Sequence, residues 1–346
     1  MLRTSVVGSL PKPTWLAQPA SLRAPWRLSG AELREAQDDA VRLALLDQEE
    51  AGLDVVCDGE IRRRHYIWGL LAGLTNIDTE QLARKRARGG RYTELTDVAR
   101  ITGPVEHPRP VLIEACEFAR AHTTRPLKVT LPGPMTIADS VKDEYYGEDD
   151  RALAMRFAAI LNAEARALVD AGADIVQFDE PCFNIYLDEV GAWGIEALER
   201  CIEGVRATTA VHICYGYGTP VVLAWKTQNT DWGHYGVTLP LLAKSRIDQV
   251  SVECAASGVD VSVLGQLAGK DVLLGVIDVG SETVESPELV ADRLRRALPY
   301  VPAERLLPCT DCGLVPRSRA SATGKMRALA EGAAIVREEL RAAARV

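Results

Sequence analysis

The chain has 346 residues, 47% of them hydrophobic and 25% charged, with a formal net charge of −8. That balance describes a folded chain long enough to bury a large core and excludes a disordered one. The acidic excess excludes broad nucleic-acid binding, which needs a basic surface to neutralise phosphates.

In chain order, short apolar runs rich in Val and Ile recur, each ending in polar or Gly-rich residues and each followed by a helical pattern. TSVVGSL (4–10) is the first predicted strand. SGAELREAQDDAVRLALLDQEEAG follows as a helix, with Ser29 and Glu32 at capping-box spacing and Gly52 at its end. DVVCDGE (54–60) is the second strand. Residues 61–126 then hold more sequence than one strand-helix unit needs, so an insertion is expected there. It contains ARKRARGGR (83–91), whose Arg84, Lys85, Arg86, Arg88 and Arg91 read as a solvated loop or as an anion or partner contact. LKVTLPGP (127–134) is the third strand, and EDDRALAMRFAAILNAEARALVDAG is the helix that returns the chain at Gly172 to DIVQFDEP (174–181). AVHICYG (210–216), DQVSVEC (248–254), DVLLGVIDV (271–279) and RLLPCTDCG (305–313) complete eight. Between the last two lies a helix capped by Ser286 and opened by Pro287.

Eight strands alternating with helices predict a (β/α)8 TIM barrel with an insertion after the second strand. An open doubly wound sheet is the alternative, but the Gly fingerprint that fold carries after its first strand is missing. No linker or repeat divides the chain, so residues 1–346 are expected to form a single catalytic domain, with the insertion within 61–126. No run of about 18 apolar residues occurs, and the start, MLRTSVVGSLPKP, has no long apolar region. A cytoplasmic protein without membrane contact is expected, and its eight cysteines read as thiols or ligands.

Polar residues gather where the predicted strands end: Ser9, Asp58, Glu60, Asp179, Glu180, His212, Cys214, Glu253, Asp278, Cys309, Asp311 and Cys312. In a barrel these ends share one rim, where active sites of that fold are built. Side chains two apart on a strand point the same way, so His212 and Cys214 can reach one ion. Glu253 ends the next predicted strand and Cys312 the last, and a His, Cys, Glu, Cys set suits Zn2+. Each residue also has a plainer reading: a hydrogen-bonded histidine, a buried thiol, a salt-bridge carboxylate, or a redox pair in CTDC.

VVGSLPKP, CDGE, LPGPMTI, VQFDEP, HICYG, SVEC, GVIDV and CTDCGL, in this order, resemble the catalytic half of cobalamin-independent methionine synthase. Proteins of that family are usually about twice as long, and this chain is similar to the short, core-type members. The resemblance implies a zinc site of His212, Cys214, Glu253 and Cys312. It implies homocysteine held at its carboxylate by Val7, Gly8 and Ser9 and at its ammonium by Glu60 and Asp179. Cys309 has no ligand role in the family pattern. Zinc would keep the homocysteine thiol as the thiolate that attacks a methyl carbon, giving methionine. Glu253, the hardest ligand, is the one expected to loosen when substrate sulfur arrives.

The donor side departs from that pattern. Gly280 stands where the two-barrel enzymes carry an acid histidine, Ile185 replaces an acidic pterin contact, and no aromatic is evident in ADSVKDEYY. The methyl donor is therefore left open between methyltetrahydrofolate and methylcobalamin, delivered alone or by an accessory or corrinoid protein. Asp179 and Asp278 are the candidate catalytic residues, and Asp139 and Tyr145 are further candidates for the missing acid. Alternatives are alkylation of another thiol such as coenzyme M, a non-catalytic zinc-binding module, and a porphyrin-carboxylate decarboxylase.

Overall fold

The computed structural model describes residues 1–18, 23 and 25–345. Seven strands form one parallel sheet in the order β1 (Val56–Cys57), β4 (Leu127–Pro132), β6 (Ile175–Asp179), β7 (Thr208–Ile213), β8 (Gln249–Val252), β9 (Asp271–Ile277) and β10 (Leu306–Thr310). Every pair is parallel and follows chain order, as right-handed strand-helix-strand units require. β4, β6, β8 and β10 are buried at every position, so near-continuous apolar runs, not alternating ones, encode them.

The segment 4–10, expected as a strand, joins no ladder. Its main chain is divided between the two edges of the sheet: Ser5 N–H donates to Pro308 O at 3.1 Å beside β10, and Val55 N–H donates to Thr4 O at 3.0 Å beside β1. The sheet therefore curls far enough to bring both edges to one piece of chain. Side chains complete the attachment, with Lys128 Nζ donating to Val6 O, Gln177 Nε2 to Val7 O at 3.0 Å, and Val7 N–H to Thr310 Oγ1 at 3.0 Å.

A second sheet takes two of its three strands from the long stretch between β1 and β4 and the third from just after β4. β2 (Ile77–Lys85) pairs antiparallel with β3 (Thr96–Ile101), and β3 pairs with β5 (Val141–Asp143). The sequence reading did not anticipate these strands, because β2 is half exposed and carries polar side chains at most positions.

Helices cover the parallel sheet. Asp149 and Ser286 cap Asp150–Asp170 and Pro287–Ala297 by accepting from Ala152 and Leu289 N–H, the second with Pro287 in its first turn. Ser29 occupies the N-cap of Gly30–Glu50, but its side chain makes no capping bond, so the expected capping box is only a position. Gly52 and Gly172 end their helices at φ 88° and 100°, the left-handed conformation open to glycine. Among the described residues, no helix is long and apolar enough to cross a membrane.

Candidate active site

The carboxyl ends of the parallel strands meet at a cavity of about 200 Å³. Val7, Ser9, Glu60, Asp179, His212, Cys214 and Cys312 line it, so seven residues from five separate predicted segments reach one space. β7 places His212, Cys214 follows one residue beyond its end, and Cys312 lies two residues past β10.

His212, Cys214 and Cys312 offer ligand atoms within 4.8 Å of one another, all buried. His212 Nδ1 lies 2.8 Å from Ser251 Oγ on the paired strand. In the tautomer that donates this bond, Nε2 presents a lone pair, and Nε2 is buried with no partner among the described residues. The two sulfurs are 3.7 Å apart, too far for a disulfide. Two Zn–S bonds of about 2.3 Å at a tetrahedral angle place their sulfurs about 3.8 Å apart. An orphaned imidazole nitrogen beside two thiols at that separation fits a borderline-soft cation such as zinc. The Cys312 thiol lying against it holds the Cys214 thiol well below its ordinary range despite burial, and Cys312 rises in turn. Burial acts to lower the His212 imidazole, but the neighbouring Cys214 outweighs it and leaves it raised.

Glu253, expected as the fourth ligand, is not in this group. Its Oε1 lies 2.6 Å from Lys226 Nζ, and its Oε2 accepts Tyr215 N–H at 3.0 Å. Asp311 holds the turn after Glu253 by accepting the N–H groups of Cys254, Ala255 and Ala256 at 2.6–3.0 Å. Cys309 faces away into a small apolar cluster with Val7, Leu273 and Leu307.

The two carboxylates expected at a substrate ammonium both line the cavity. Glu60 has φ 55°, a left-handed conformation unusual for a side chain of its size. It is held by its own N–H donating to Asp58 Oδ1 at 2.9 Å and by Thr130 Oγ1 donating to its Oε1 at 2.8 Å. Such strain, fixed by neighbours, is characteristic of functional positions. Gly8 packs so closely here that an added Cβ would lie 2.8 Å from Glu60 Oε1. Burial pushes the Asp179 carboxyl up to about 7, with Glu60 adding to the rise, while His212 and Gln177, which donates at 2.8 Å, oppose it. Val7 N–H, expected to face a substrate carboxylate, is taken by Thr310; Ser9 Oγ lies 3.4 Å from Tyr217 Oη.

Asp278, a candidate acid, does not line the cavity; its carboxylate accepts Gly280 N–H at 2.6 Å and shapes a turn. Asp139 is bound to Arg88 at 2.7 Å and to the Tyr186 hydroxyl at 2.6 Å, and Tyr145 is more than half exposed.

An aromatic wall of the cavity was missed by the sequence reading. Tyr66, Trp68, Tyr92 and Tyr217 line it, with His65, whose burial lowers its imidazole to about 3 and keeps it neutral. The basic run divides: Arg84 and Arg86 are exposed, whereas Arg88 enters the wall, donating to Asp139 and, at 2.9 Å, to Tyr66 Oη. Arg91 turns inward to Asn184 O at 2.6 Å. Gly89 packs beside Ile185, so the tip joining β2 and β3 covers the place where the resemblance expected pterin contacts.

Residues 2–334 match the family described as cobalamin-independent synthase, catalytic domain. A methionine synthase of Sulfurisphaera tokodaii is 34% identical over 345 residues, covering 99% of this chain and 94% of the relative. One from Saccharolobus solfataricus is 32% identical, covering 99% and 96%. Among solved structures, a B12-independent methionine synthase from Shewanella sp. W3-18-1, in complex with selenomethionine, superposes with a TM-score of 0.95 at 46% identity, covering 99% of both chains. With its His-x-Cys strand end, its distant second cysteine and its carboxylate-lined cavity on one rim, the chain belongs to the cobalamin-independent methionine synthase family, through that family's catalytic domain.

Proposed function

We propose that this chain transfers a methyl group to the thiol of L-homocysteine, forming L-methionine, with zinc held by His212, Cys214 and Cys312. Membership of the family makes it a methyltransferase enzyme of methionine biosynthesis. The observation that carries the zinc reading is the buried Nε2 of His212, without a hydrogen-bond partner among the described residues, beside two sulfurs 3.7 Å apart. When bound, zinc supplies the acidity that keeps a substrate thiol deprotonated at neutral pH.

The chain's own residues do the rest. Glu60 and Asp179 accept hydrogen bonds from the substrate ammonium, and Ser9 with the main chain around Gly8 faces the carboxylate. The cavity orients the sulfur toward the aromatic wall, and that orientation is a large part of the rate. A carboxyl near 7 retains a proton at neutral pH, so Asp179 is the group in the wall able both to bind the ammonium and to hold or release a proton. Paired carboxylates have no role toward a sulfonate thiol without an ammonium, which disfavours coenzyme M.

Of the two methyl donors expected, methylcobalamin and a corrinoid carrier conflict with the cobalamin independence of the family and of the Shewanella relative. Methyltetrahydrofolate is carried forward. Its leaving nitrogen requires a proton, which neither Gly280 nor Asp278 supplies from outside the cavity. We further take segment 4–10 as the eighth stave of a (β/α)8 barrel, supported by its bonds to both sheet edges. We take the β2–β3 sheet as the insertion in a single domain, and the cytoplasm as its compartment. The test is metal analysis of the purified protein, then zinc-loaded protein with homocysteine offered labelled methyltetrahydrofolate or methylcobalamin separately. Labelled methionine from the folate supports the reading. Absence of bound zinc, or methionine from methylcobalamin alone, overturns it.

A further inference from the structure

Two buried cations lie beside the substrate cavity with no part in the chemistry described above. Lys12 stands in SLPKP, where the proline after it favours extended backbone. The same segment is anchored on both sides: Ser9 O accepts Leu314 N–H at 2.7 Å, and Leu10 N–H donates to Gly59 O at 2.9 Å. Lys12 is therefore fixed between the chain that follows β10 and the turn that carries Glu60. Arg63 follows Glu60 by three residues; its Nη1 donates to Thr130 O at 2.8 Å and to Thr130 Oγ1 at 3.1 Å. Its Nε and Nη2 are buried with no hydrogen-bond partner among the described residues. Those two nitrogens form a guanidinium edge suited to carboxylate oxygen. Lys12 and Arg63 are 7% and 4% exposed, and both line a side cavity of about 10 Å³, room for about one oxygen atom. Ser9, Glu60, His65, Tyr66 and Tyr217 line this side cavity and the substrate cavity alike, so the two adjoin.

We propose that Lys12, with the open edge of Arg63 beside it, is the charge that recognises the α-carboxylate of homocysteine where it lies against Ser9, so that the site reads its substrate as a zwitterion. This deepens the homocysteine reading above and rests on it. Glu60 and Asp179 meet the ammonium with acceptors, but Ser9 and its main chain meet the carboxylate with neutral donors alone, and Val7 N–H is already taken by Thr310. The other cations lining the substrate cavity are engaged elsewhere, Arg88 by Asp139 and Arg23 by Asp97 O. Glu60 and Asp58 act on Lys12 and Arg63 through space, with no side-chain hydrogen bond between them. Burial pushes the Lys12 ammonium down to about 8 against the opposing charge of Glu60, so an anion that enters relieves a cost the fold itself leaves standing. One carboxylate oxygen fills the side cavity between the ammonium and the guanidinium edge, and the other stays with Ser9.

The experiment is calorimetric titration of full-length, zinc-loaded protein with L-homocysteine and with L-homocysteinamide, which has the same shape but no negative charge, while circular dichroism follows folding. K12M should raise the homocysteine dissociation constant about tenfold or more and change that of the amide by less than about threefold. Equal weakening of both ligands would overturn the inference, because it would mean that Lys12 only supports the fold or Glu60. A homocysteine dissociation constant within about threefold of wild type in folded K12M would overturn it as well. Should the amide bind too weakly to titrate, the homocysteine result decides alone. Should K12M fail to fold, K12Q, uncharged but polar, carries the same comparison. Wild-type protein that binds neither ligand would sink the homocysteine reading itself, a result distinct from homocysteine that binds without regard to Lys12.

Discussion

Asp179→Asn should make the metal-free protein more stable and useless at once. In the fold, burial moves the Asp179 carboxyl from its ordinary 3.8 up to about 7, and the side chain is only 7% exposed, so solvent screens this little. The unfolded chain ionises the residue from about pH 4 upward, while the native state holds its proton until about pH 7. The native state therefore binds more protons in that window, and stability falls as pH rises through it, then levels off. The full cost of the displaced ionisation is about 4 kcal/mol, and between about pH 5 and about pH 8 the wild type should lose about 2–3 kcal/mol that the D179N variant keeps. Urea unfolding of chelator-treated wild type and D179N at those two pH values measures the difference directly. An equal stability difference at both pH values would refute the reasoning, because it would mean that the carboxyl titrates normally. Calorimetry should show D179N losing homocysteine binding, since an amide has no charge for the ammonium and offers donors toward it.

Other outcomes follow from the same geometry. Cys214→Ser and Cys312→Ser should each lose zinc and activity together, whereas Cys309→Ser, in its separate apolar cluster, should keep stoichiometric zinc by metal analysis. Arg88→Ala removes an ion pair whose partners are 15% and 7% exposed, although Asp139 retains Tyr186 and a main-chain N–H. It should cost about 2–4 kcal/mol in urea unfolding and expose the loop around residues 86–92 to protease. Lys325→Met leaves Glu285 without its 2.8 Å ammonium and should cost about 3 kcal/mol by the same assay, because Arg293 remains 3.4 Å away as a partial substitute.

Much of this architecture was legible in the sequence because parallel strands buried on both faces must be written as Val- and Ile-rich runs, and seven of the eight runs became strands in their predicted order. TSVVGSL looked the same, yet its amides and carbonyls are shared among two edges and the side chains of Lys128, Gln177 and Thr310 instead of a ladder, a division that no local pattern encodes. β2 escaped notice because a half-exposed strand with polar residues at most positions has the periodicity of a loop. At the site, period two along a strand placed His212 beside Cys214, and strand order brought in Cys312. The fate of Glu253 was not legible, since it depends on a helix that delivers Lys226 from 27 residues upstream. A lone lysine in an otherwise apolar helix was the available signal.

The attachment of the amino-terminal segment also bears on how the protein is made. Val7 finds its partner 303 positions later, at Thr310, and neighbouring Ser5 depends on Pro308. Contacts that distant in sequence form only after nearly the whole polypeptide has emerged, and loop-closure entropy makes them slow. During translation, then, the segment that carries the Gly-Ser turn beside Glu60 lacks its bonds to Pro308 and Thr310 until the last strand arrives, and a truncation of the carboxyl terminus would loosen substrate capture at the opposite end of the chain.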